Sequence, residues 1–460
     1  MLPQWHLGHH APFHPTYHGF STFFGLPYSG DLGCIDSTPQ SCLSSDLVGL
    51  NRSVSQPACP ALCNQSVPGG DNQASIPLYN STAAYCSGHT SCDDDILESP
   101  FQPVPLNQRY AERALRIIDS SSRADKPFFL YIGLADTHTP LGYSAQFEGT
   151  SARAGSAAVF GNTLADADDA IGQIVGAVDD DTLVLITADN GPADLATVPC
   201  FAIGDTAPFL GSWQRSTLGG GGGATSKTTT WEGGHHMIGL AFWRNTITEG
   251  RVTTVPVSTL DFLPTLLALT GASLPGDRSF DGIDLSPILL AGDEDEVRSA
   301  RQALFFPDGS GTLAAARLVS TSSQSFVAFS SGAAAAAVAT PAVAAAPAVA
   351  AGGGMDAVAI KAHFSTQAVT GCYAPDGTVL PVGRPMNHSP PLIFDLATDP
   401  AEASPLVNVS TELINHLNAL HKAKIDDIAS TFRSVADYSQ GGDEARPCCN
   451  RASPYCACTV

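Results

Sequence analysis

The chain has 460 residues, and its 44 Asp and Glu against 22 Lys and Arg give a formal charge of -22 at pH 7. A field of that sign excludes nucleic acid and anionic membrane surfaces as partners, although a few local cations can reverse it inside one pocket. The hydrophobic share of 43% is enough for a packed core, and the length suits one large α/β domain with a smaller companion.

The first thirty residues show no basic start followed by an apolar run, so they do not read as a signal peptide. They hold "QWHLGHH" at Gln4–His10 and "TYHGFSTFFGLPYSGDLG" at Thr16–Gly33, which look like interior active-site loops. Residues 34–106 read as a loop-dominated insert with Cys34, Cys42, Cys59, Cys63, Cys86 and Cys92. Four more cysteines, Cys448, Cys449, Cys456 and Cys458, crowd the C-terminus. An even count of 12 in loop-rich surroundings indicates a disulfide framework in an oxidising compartment. Zinc is the rival reading, but no matched second pair follows Cys59 and Cys63. Cys200 and Cys372 stand apart and are candidates for a pair tying two domains. Asn-x-Ser/Thr acceptor sites at Asn51, Asn64, Asn80, Asn387 and Asn408 agree with export. Export features without a leader give the expectation that the natural N-terminus lies upstream of Met1.

Next, "NQRYAERALRIIDSS" places Tyr110, Ala114, Ile117 and Ile118 at helical spacing, with Glu112 four residues before Arg116. "PFFLYIGLA" (Pro127–Ala135) reads as a buried strand. A helical stripe over 163–178 follows, then strands in "TLVLITADNG" and "GLAFW", then a Leu-rich helix after 259. Strands apolar on both faces, alternating with helices, predict a mostly parallel sheet covered on both sides. From about residue 299, short strand-like pieces and a helix through Leu413, Leu417 and Leu420 predict a small α+β domain. The Ala/Val/Pro-rich segment 331–354 reads as a flexible insertion, and Pro341 and Pro347 keep it from being a membrane span. The tract Gly219–Gly223 reads as flexible, since no Gly-Lys-Ser/Thr follows it.

In open parallel sheets, ligands bind at the carboxyl ends of strands. Asp189 and Asn190 end one strand and suit a hard cation such as Ca²⁺ or Mg²⁺, although an Asx turn alone would also explain them. His138 follows another strand. His6 lies in the opening stretch, and Lys227 follows the glycine tract. Singly, these are ordinary loop residues, so only their joint pattern is specific.

That pattern, with "WHLG", "GFSTFFGLPYSGDLG", "KPFFLYIGLADTHTPL", "TLVLITADNGP", "SKTTTWEGG", "LAFW", "DFLPTLLALTGASLP", "DGIDLSPILL", "KAHF", "PPLIFDLATDP" and "CCNRASPYCAC", resembles the sulfatases, most closely their arylsulfatase A-like branch. The resemblance runs over almost the whole chain. It implies an alkaline-phosphatase-like α/β sandwich with a mostly parallel central sheet, plus a small C-terminal α+β domain. It implies a catalytic domain over 1–298 lacking its N-terminal part and a second domain over 299–460. The activity implied is hydrolysis of sulfate monoesters by a formylglycine hydrate, with a divalent cation, Ca²⁺, beside it. By this resemblance Asp189 and Asn190 are metal ligands, and His6 is the catalytic histidine assisting the nucleophile. Ser29, His138 and Lys227 are substrate-side residues, with Lys227 or His138 placed to protonate the leaving group. Implied partners are a sulfated small molecule, glycan or sulfolipid. No nucleic acid and no membrane span is expected, a homo-oligomer is left open, and the implied location is secreted or lysosomal.

Departures are specific. No cysteine here starts a Cys-x-Pro/Ser-x-Arg motif, and the early Asp-Asp metal pair is absent. Gln4 stands where Lys is usual, Thr228 where Gly is common, and "EGGHHMIG" lacks the usual Arg and Pro. Two other readings follow from these departures and from the fold: a catalytically dead sulfated-glycan-binding protein, and a metal-dependent phosphoesterase of the same superfold. The branch-specific motifs disfavour the phosphoesterase.

Overall fold

A computed structural model describes residues 1–7, 13–28, 76–82, 96–98, 101–102, 105–135, 137–138, 141–153, 156–192, 206–216, 225–308, 311–319, 359–366, 369–373, 379–382 and 385–431. Its elements begin with β1 (Leu2–Pro3), β2 (Thr22–Gly25), β3 (Leu78–Thr82), β4 (Ile96–Glu98), helix α1 (Leu106–Arg123), β5 (Ile132–Gly133), α2 (Ser156–Ala177) and β6 (Val184–Thr187). Then come the one-turn helices α3 (Ser212–Arg215) and α4 (Glu232–His235), β7 (Gly239–Phe242), α5 (Phe262–Thr270) and α6 (Glu294–Ala300). The chain closes with β8 (Ala303–Pro307), β9 (Leu313–Leu318), β10 (Ile360–Thr366), β11 (Val369–Tyr373), β12 (Val379–Val382), β13 (Met386–Asp395) and α7 (Thr411–Thr431).

The first core gathers around α1. Leu106, Tyr110, Ala114 and Ile118 recur at helical spacing and are buried, while Glu112 and Arg116 pair on the solvent side. The α1 stripe packs with Leu2, Phe24, Leu26, Ile76 and Leu78. β1 and β5 are parallel, with Leu2 opposite Ile132 and Pro3 opposite Gly133, and Gln4 continues the line by a parallel bridge to Leu26. β2, β3 and β4 form an antiparallel sheet, so the expected loop insert contributes two strands to the fold.

The strand expected over Pro127–Ala135 is regular only at Ile132–Gly133. Leu130, Ile132 and Leu134 alternate into the α1 core, whereas Phe129 and Tyr131, on the opposite face, are 61% and 50% exposed. Among the described residues only Phe20 is seen stacked on Phe129. The cover expected on both faces is therefore present, among the described residues, on one. Likewise β7 runs antiparallel to β6 rather than extending a parallel sheet, with Val184 opposite Phe242.

The second unit is an antiparallel sheet in the order β13-β10-β9-β8. The period-two alternation of β10 decides its layers. Ile360 and Ala362 pack with Leu413 and Leu417 of α7, and Phe364 stacks on His421 at 3.7 Å. Lys361 and His363 therefore face the other way, onto Trp231 and Glu232. Of the acceptor asparagines, Asn387 and Asn408 are exposed, while Asn80 is half-buried within β3; Asn51 and Asn64 lie outside the described residues. So do all the cysteines except the backbone of Cys372, and with them the expected disulfides, the suggested Cys200–Cys372 pair and the segment 331–354. No described helix is long and apolar enough to cross a membrane.

Candidate functional site

Two clusters form at strand ends. The first lies where β1 and β5 run out side by side. The Gln4 N–H donates to the Gly133 carbonyl at 3.3 Å, Trp5 N–H to Leu26 at 2.9 Å and His6 N–H to Pro27 at 3.0 Å. These bonds turn His6 outward, exposed, with φ of 55°. His138 follows β5 by five residues, half-buried, its N–H on the Ala135 carbonyl at 3.3 Å. Parallel pairing thus delivers His6 and His138 to the same edge.

The second cluster follows β6. The Asn190 N–H donates to Asp189 Oδ1 at 2.9 Å, and Asn190 Nδ2 to the Gly191 carbonyl at 2.9 Å. An Asx turn would close on the N–H two residues on, whereas both of these bonds reach only the next residue. They leave Asp189 exposed, and Asn190 has its side-chain carbonyl oxygen uncommitted in them. Backbone bonds then knit this strand end to a distant segment. Gly191 N–H donates to Gly234 at 2.8 Å, and Lys227 N–H donates to Pro192 at 3.1 Å. The approach is close enough that a Cβ on Gly191 would lie 1.9 Å from the Gly233 carbonyl oxygen. Lys227 sits on a turn closed by Thr229 N–H to Ser226 at 3.1 Å, and Thr228 holds φ of 74° there. That left-handed backbone explains why glycine suits the position after the lysine.

The expected site residues thus follow two strand ends, His6 and His138 after the paired β1 and β5, and Asp189 and Asn190 after β6 with the Lys227 backbone bonded to Pro192; Ser29 lies outside the described residues. Among the described residues no group of three or more His, Cys, Asp or Glu is placed to hold a metal ion. Asp189 and Asn190 offer hard oxygen donors of the right chemistry, but two residues fall short of the roughly six to eight oxygens that Ca²⁺ takes. The described residues therefore do not by themselves complete a cation site.

Sequence reasoning missed a third feature, a buried charge network behind the Lys227 turn. Lys361 Nζ lies 2.9 Å from Glu232 Oε1 and 3.2 Å from Glu402 Oε1. Arg317 Nη1 lies 2.9 Å from Glu232 Oε2, which also accepts from His236 Nδ1 at 2.7 Å. His363 Nε2 donates to Glu402 Oε1 at 2.9 Å, and Glu402 Oε2 accepts the Glu232 N–H at 2.8 Å. Burial opposes ionisation of Glu232, but Lys361, both neighbouring imidazoles and Arg317 outweigh it and hold the carboxyl well below its usual range. Glu402 is likewise lowered, with burial opposing and Lys361 and His363 prevailing. Burial, aided by Lys361, keeps His235 and His363 below the ordinary imidazole value, so both stay neutral. Two carboxylates then balance Lys361 and Arg317. The available signal was a lysine and a histidine inside the apolar strand "AIKAHF".

The comparisons with known proteins agree with these motifs. Residues 4–272 match the Sulfatase family, and residues 327–458 match the C-terminal region of aryl-sulfatase. Arylsulfatase G of Rattus norvegicus is 33% identical over 472 residues, covering 100% of this chain and 74% of the rat protein. Arylsulfatase A of Homo sapiens is 31% identical, covering 100% of this chain and 75% of the human protein. The crystal structure of PsFucS1 sulfatase from Pseudoalteromonas sp. superposes with a TM-score of 0.63 at 20% identity, covering 94% of this chain and 71% of that one, a likeness of fold. The chain belongs to the sulfatase family of sulfuric ester hydrolases, with the fold of its structural neighbours and a C-terminal arylsulfatase region.

Proposed function

We propose that this chain carries the sulfate-binding and leaving-group side of an arylsulfatase-type site, acting on sulfate monoesters. One observation carries the reading: the Lys227–Pro192 and Gly191–Gly234 backbone bonds hang a lysine turn on the strand end that bears Asp189 and Asn190. A sulfate ester is anionic and its leaving oxygen gains charge during cleavage, so a fixed cation beside it lowers the barrier. In this reading the Lys227 ammonium binds a sulfate oxygen, and either Lys227 or His138 supplies the proton to the leaving oxygen. His6, turned out at the parallel strand ends, would be the base that assists the family's nucleophile. Ser29 completes the substrate side. Asp189 and Asn190 are this chain's share of a divalent-cation set, with Ca²⁺ the choice of their oxygen chemistry; such an ion supplies charge stabilisation when bound. The formylglycine nucleophile is the family's. The division into 1–298 and 299–460, disulfides, glycans on exposed Asn387 and Asn408, and a secreted or lysosomal location belong to the same reading.

A second reading has a specific observation behind it. Gln4 stands at the β1 end where the family usually has Lys, and His236 lies in "EGGHHMIG", which lacks the usual Arg and Pro. A protein that binds sulfated glycans without cleaving them fits those two facts. Calorimetry with inorganic sulfate and an assay with an aryl sulfate separate the readings. Binding weakened by Lys227→Ala supports the site. This sequence, which holds no Cys-x-Pro/Ser-x-Arg motif, is expected not to turn over an aryl sulfate; turnover lost in the same variant supports hydrolysis and overturns the placing of the nucleophile outside these residues. Sulfate binding that ignores Lys227 refutes both assignments of that residue.

A further inference from the structure

We propose that Lys361, with Glu232 and Glu402, is a positioning residue of the sulfate site, so that the C-terminal sheet sets the geometry of the Lys227 and Asp189–Asn190 turns. The inference rests on the reading of those turns given above.

The mechanical path is short. Lys361 stands on β10, opposite Arg317 of β9, with a side chain sealed from solvent. It draws Glu232 and Glu402 to one ammonium. Glu402 then fixes the backbone of α4 directly by accepting the Glu232 N–H at 2.8 Å. Two residues on, the Gly234 carbonyl receives the Gly191 N–H, and the Pro192 carbonyl next to Gly191 receives the Lys227 N–H. Any shift of Glu232 is therefore passed to Asp189, Asn190 and Lys227 through two backbone hydrogen bonds, without Lys361 touching the site. The packing leaves no slack. A Cβ at Gly191 would meet the Gly233 carbonyl oxygen at 1.9 Å, one at Gly233 the Phe209 carbonyl oxygen at 2.6 Å, and one at Gly234 the Thr229 carbonyl oxygen at 2.3 Å. Flat rings brace the charges from outside: His363 stacks on Trp231 at 4.1 Å, His236 on Phe209 at 4.0 Å and His235 on Phe306 at 4.0 Å.

Stability alone does not account for such a cluster. Buried ion groups commonly stabilise no better than apolar side chains of equal volume, because desolvation cancels their attraction. What they add is direction. Glu232 is satisfied at one position only, where Lys361, Arg317 and His236 converge.

The test uses the full chain and hydrogen exchange. In Lys361→Met, amides of Gly191, Lys227 and Glu232 exchange roughly tenfold faster or more, while those of Ala111–Ile118 in α1 keep wild-type rates, since local opening differs from global unfolding. Affinity for inorganic sulfate falls roughly tenfold, in line with the loss of other supporting contacts around a site. Lys361→Arg restores part of both. If Lys361→Met does not fold, Glu402→Gln, which keeps the Lys361–Glu232 pair, gives the same pattern more weakly. Unchanged exchange at Gly191 and Lys227, or equal acceleration in α1, overturns the proposal. Wild-type protein that binds no sulfate while the exchange pattern holds overturns the sulfate reading and leaves the coupling of the turns standing.

Discussion

Lys227 donates its backbone N–H to the Pro192 carbonyl at 3.1 Å, so two segments 35 residues apart share one end of β6. The contact depends on Gly191, whose missing side chain lets the Gly233 carbonyl pass. Gly191→Ala places a methyl inside that oxygen, against backbone that cannot rotate away. The expected outcome is a loss of about 1–3 kcal/mol, the usual cost of overpacking, read as a lower urea midpoint. Sulfate binding should fall further than stability does, because the turns separate. A variant with wild-type midpoint and binding would refute the close approach of Gly191 to the Gly233 carbonyl.

Thr228 is the strained member of the lysine turn. A β-branched residue at φ of 74° pays for the clash of its Cβ with the following carbonyl, and an energetic cost of about 1–3 kcal/mol is typical. Thr228→Gly removes the clash and adds back roughly 0.5–1 kcal/mol of unfolded-chain entropy. The net expectation is a stabilisation on the order of 1 kcal/mol, seen as a higher melting temperature. A lower melting temperature would mean that the Thr228 side chain contributes more than its backbone costs.

Much of this molecule is legible from sequence where one physical signal dominates. The α1 stripe of Tyr110, Ala114 and Ile118 gives the helix and its buried face, and β6 and β7 emerge from apolar runs. The strand-end rule singles out His138, Asp189 and Asn190, while His6 and Lys227 take their roles only from the family resemblance; which of them share a strand end depends on which strands pair, and that is not readable from sequence. The apolar run at Phe129–Tyr131 signals cover on both faces, whereas the described residues cover one. Strands β3 and β4 hide in the cysteine-rich stretch because five and three residues give too short a pattern. The charge network is invisible to periodicity: Lys361 and Glu232 lie 129 residues apart. Only the packing of β10 between α7 and Trp231 brings them together.

Asp261 and Arg301 form a second buried ion pair, at the junction of α5 and the C-terminal sheet. The Asp261 carboxylate also accepts the N–H groups of Ser258 at 2.7 Å and Ile283 at 2.9 Å, and Arg301 Nη1 lies 3.0 Å from Oδ2. Asp261→Ala strands a guanidinium that is only 7% exposed, at a cost of roughly 3–5 kcal/mol. Lys422→Ala, which breaks a helical pair more than 60% exposed on both sides, should cost roughly 0.3–0.5 kcal/mol. Denaturant titration of the two variants compares them directly. Equal effects would refute the role assigned to burial.

Acid should destabilise the fold well before its carboxylates titrate. His14 is buried between Phe23, at 4.7 Å, and Tyr79, and burial lowers its value from the ordinary 6.5 to about 4. As pH drops below 6.5 the unfolded chain takes up a proton there that the folded chain refuses, so stability falls with falling pH until about 4. At pH 5 this one group costs about 2 kcal/mol relative to pH 7.5. His235, His363 and His388 are lowered by burial and act in the same direction. Glu232 and Glu402 act later: their lowered carboxyls stabilise the fold above the ordinary 4.5, and that contribution is lost only as pH falls through their folded values. Urea midpoints should therefore decline steadily from pH 7.5 to pH 5 and more steeply below. His14→Gln should flatten the first stage by close to one proton's slope. A midpoint that holds level or rises between pH 7.5 and pH 5 would mean that these imidazoles are charged in the folded protein, and the neutral balance drawn for the Lys361 network would fall with it.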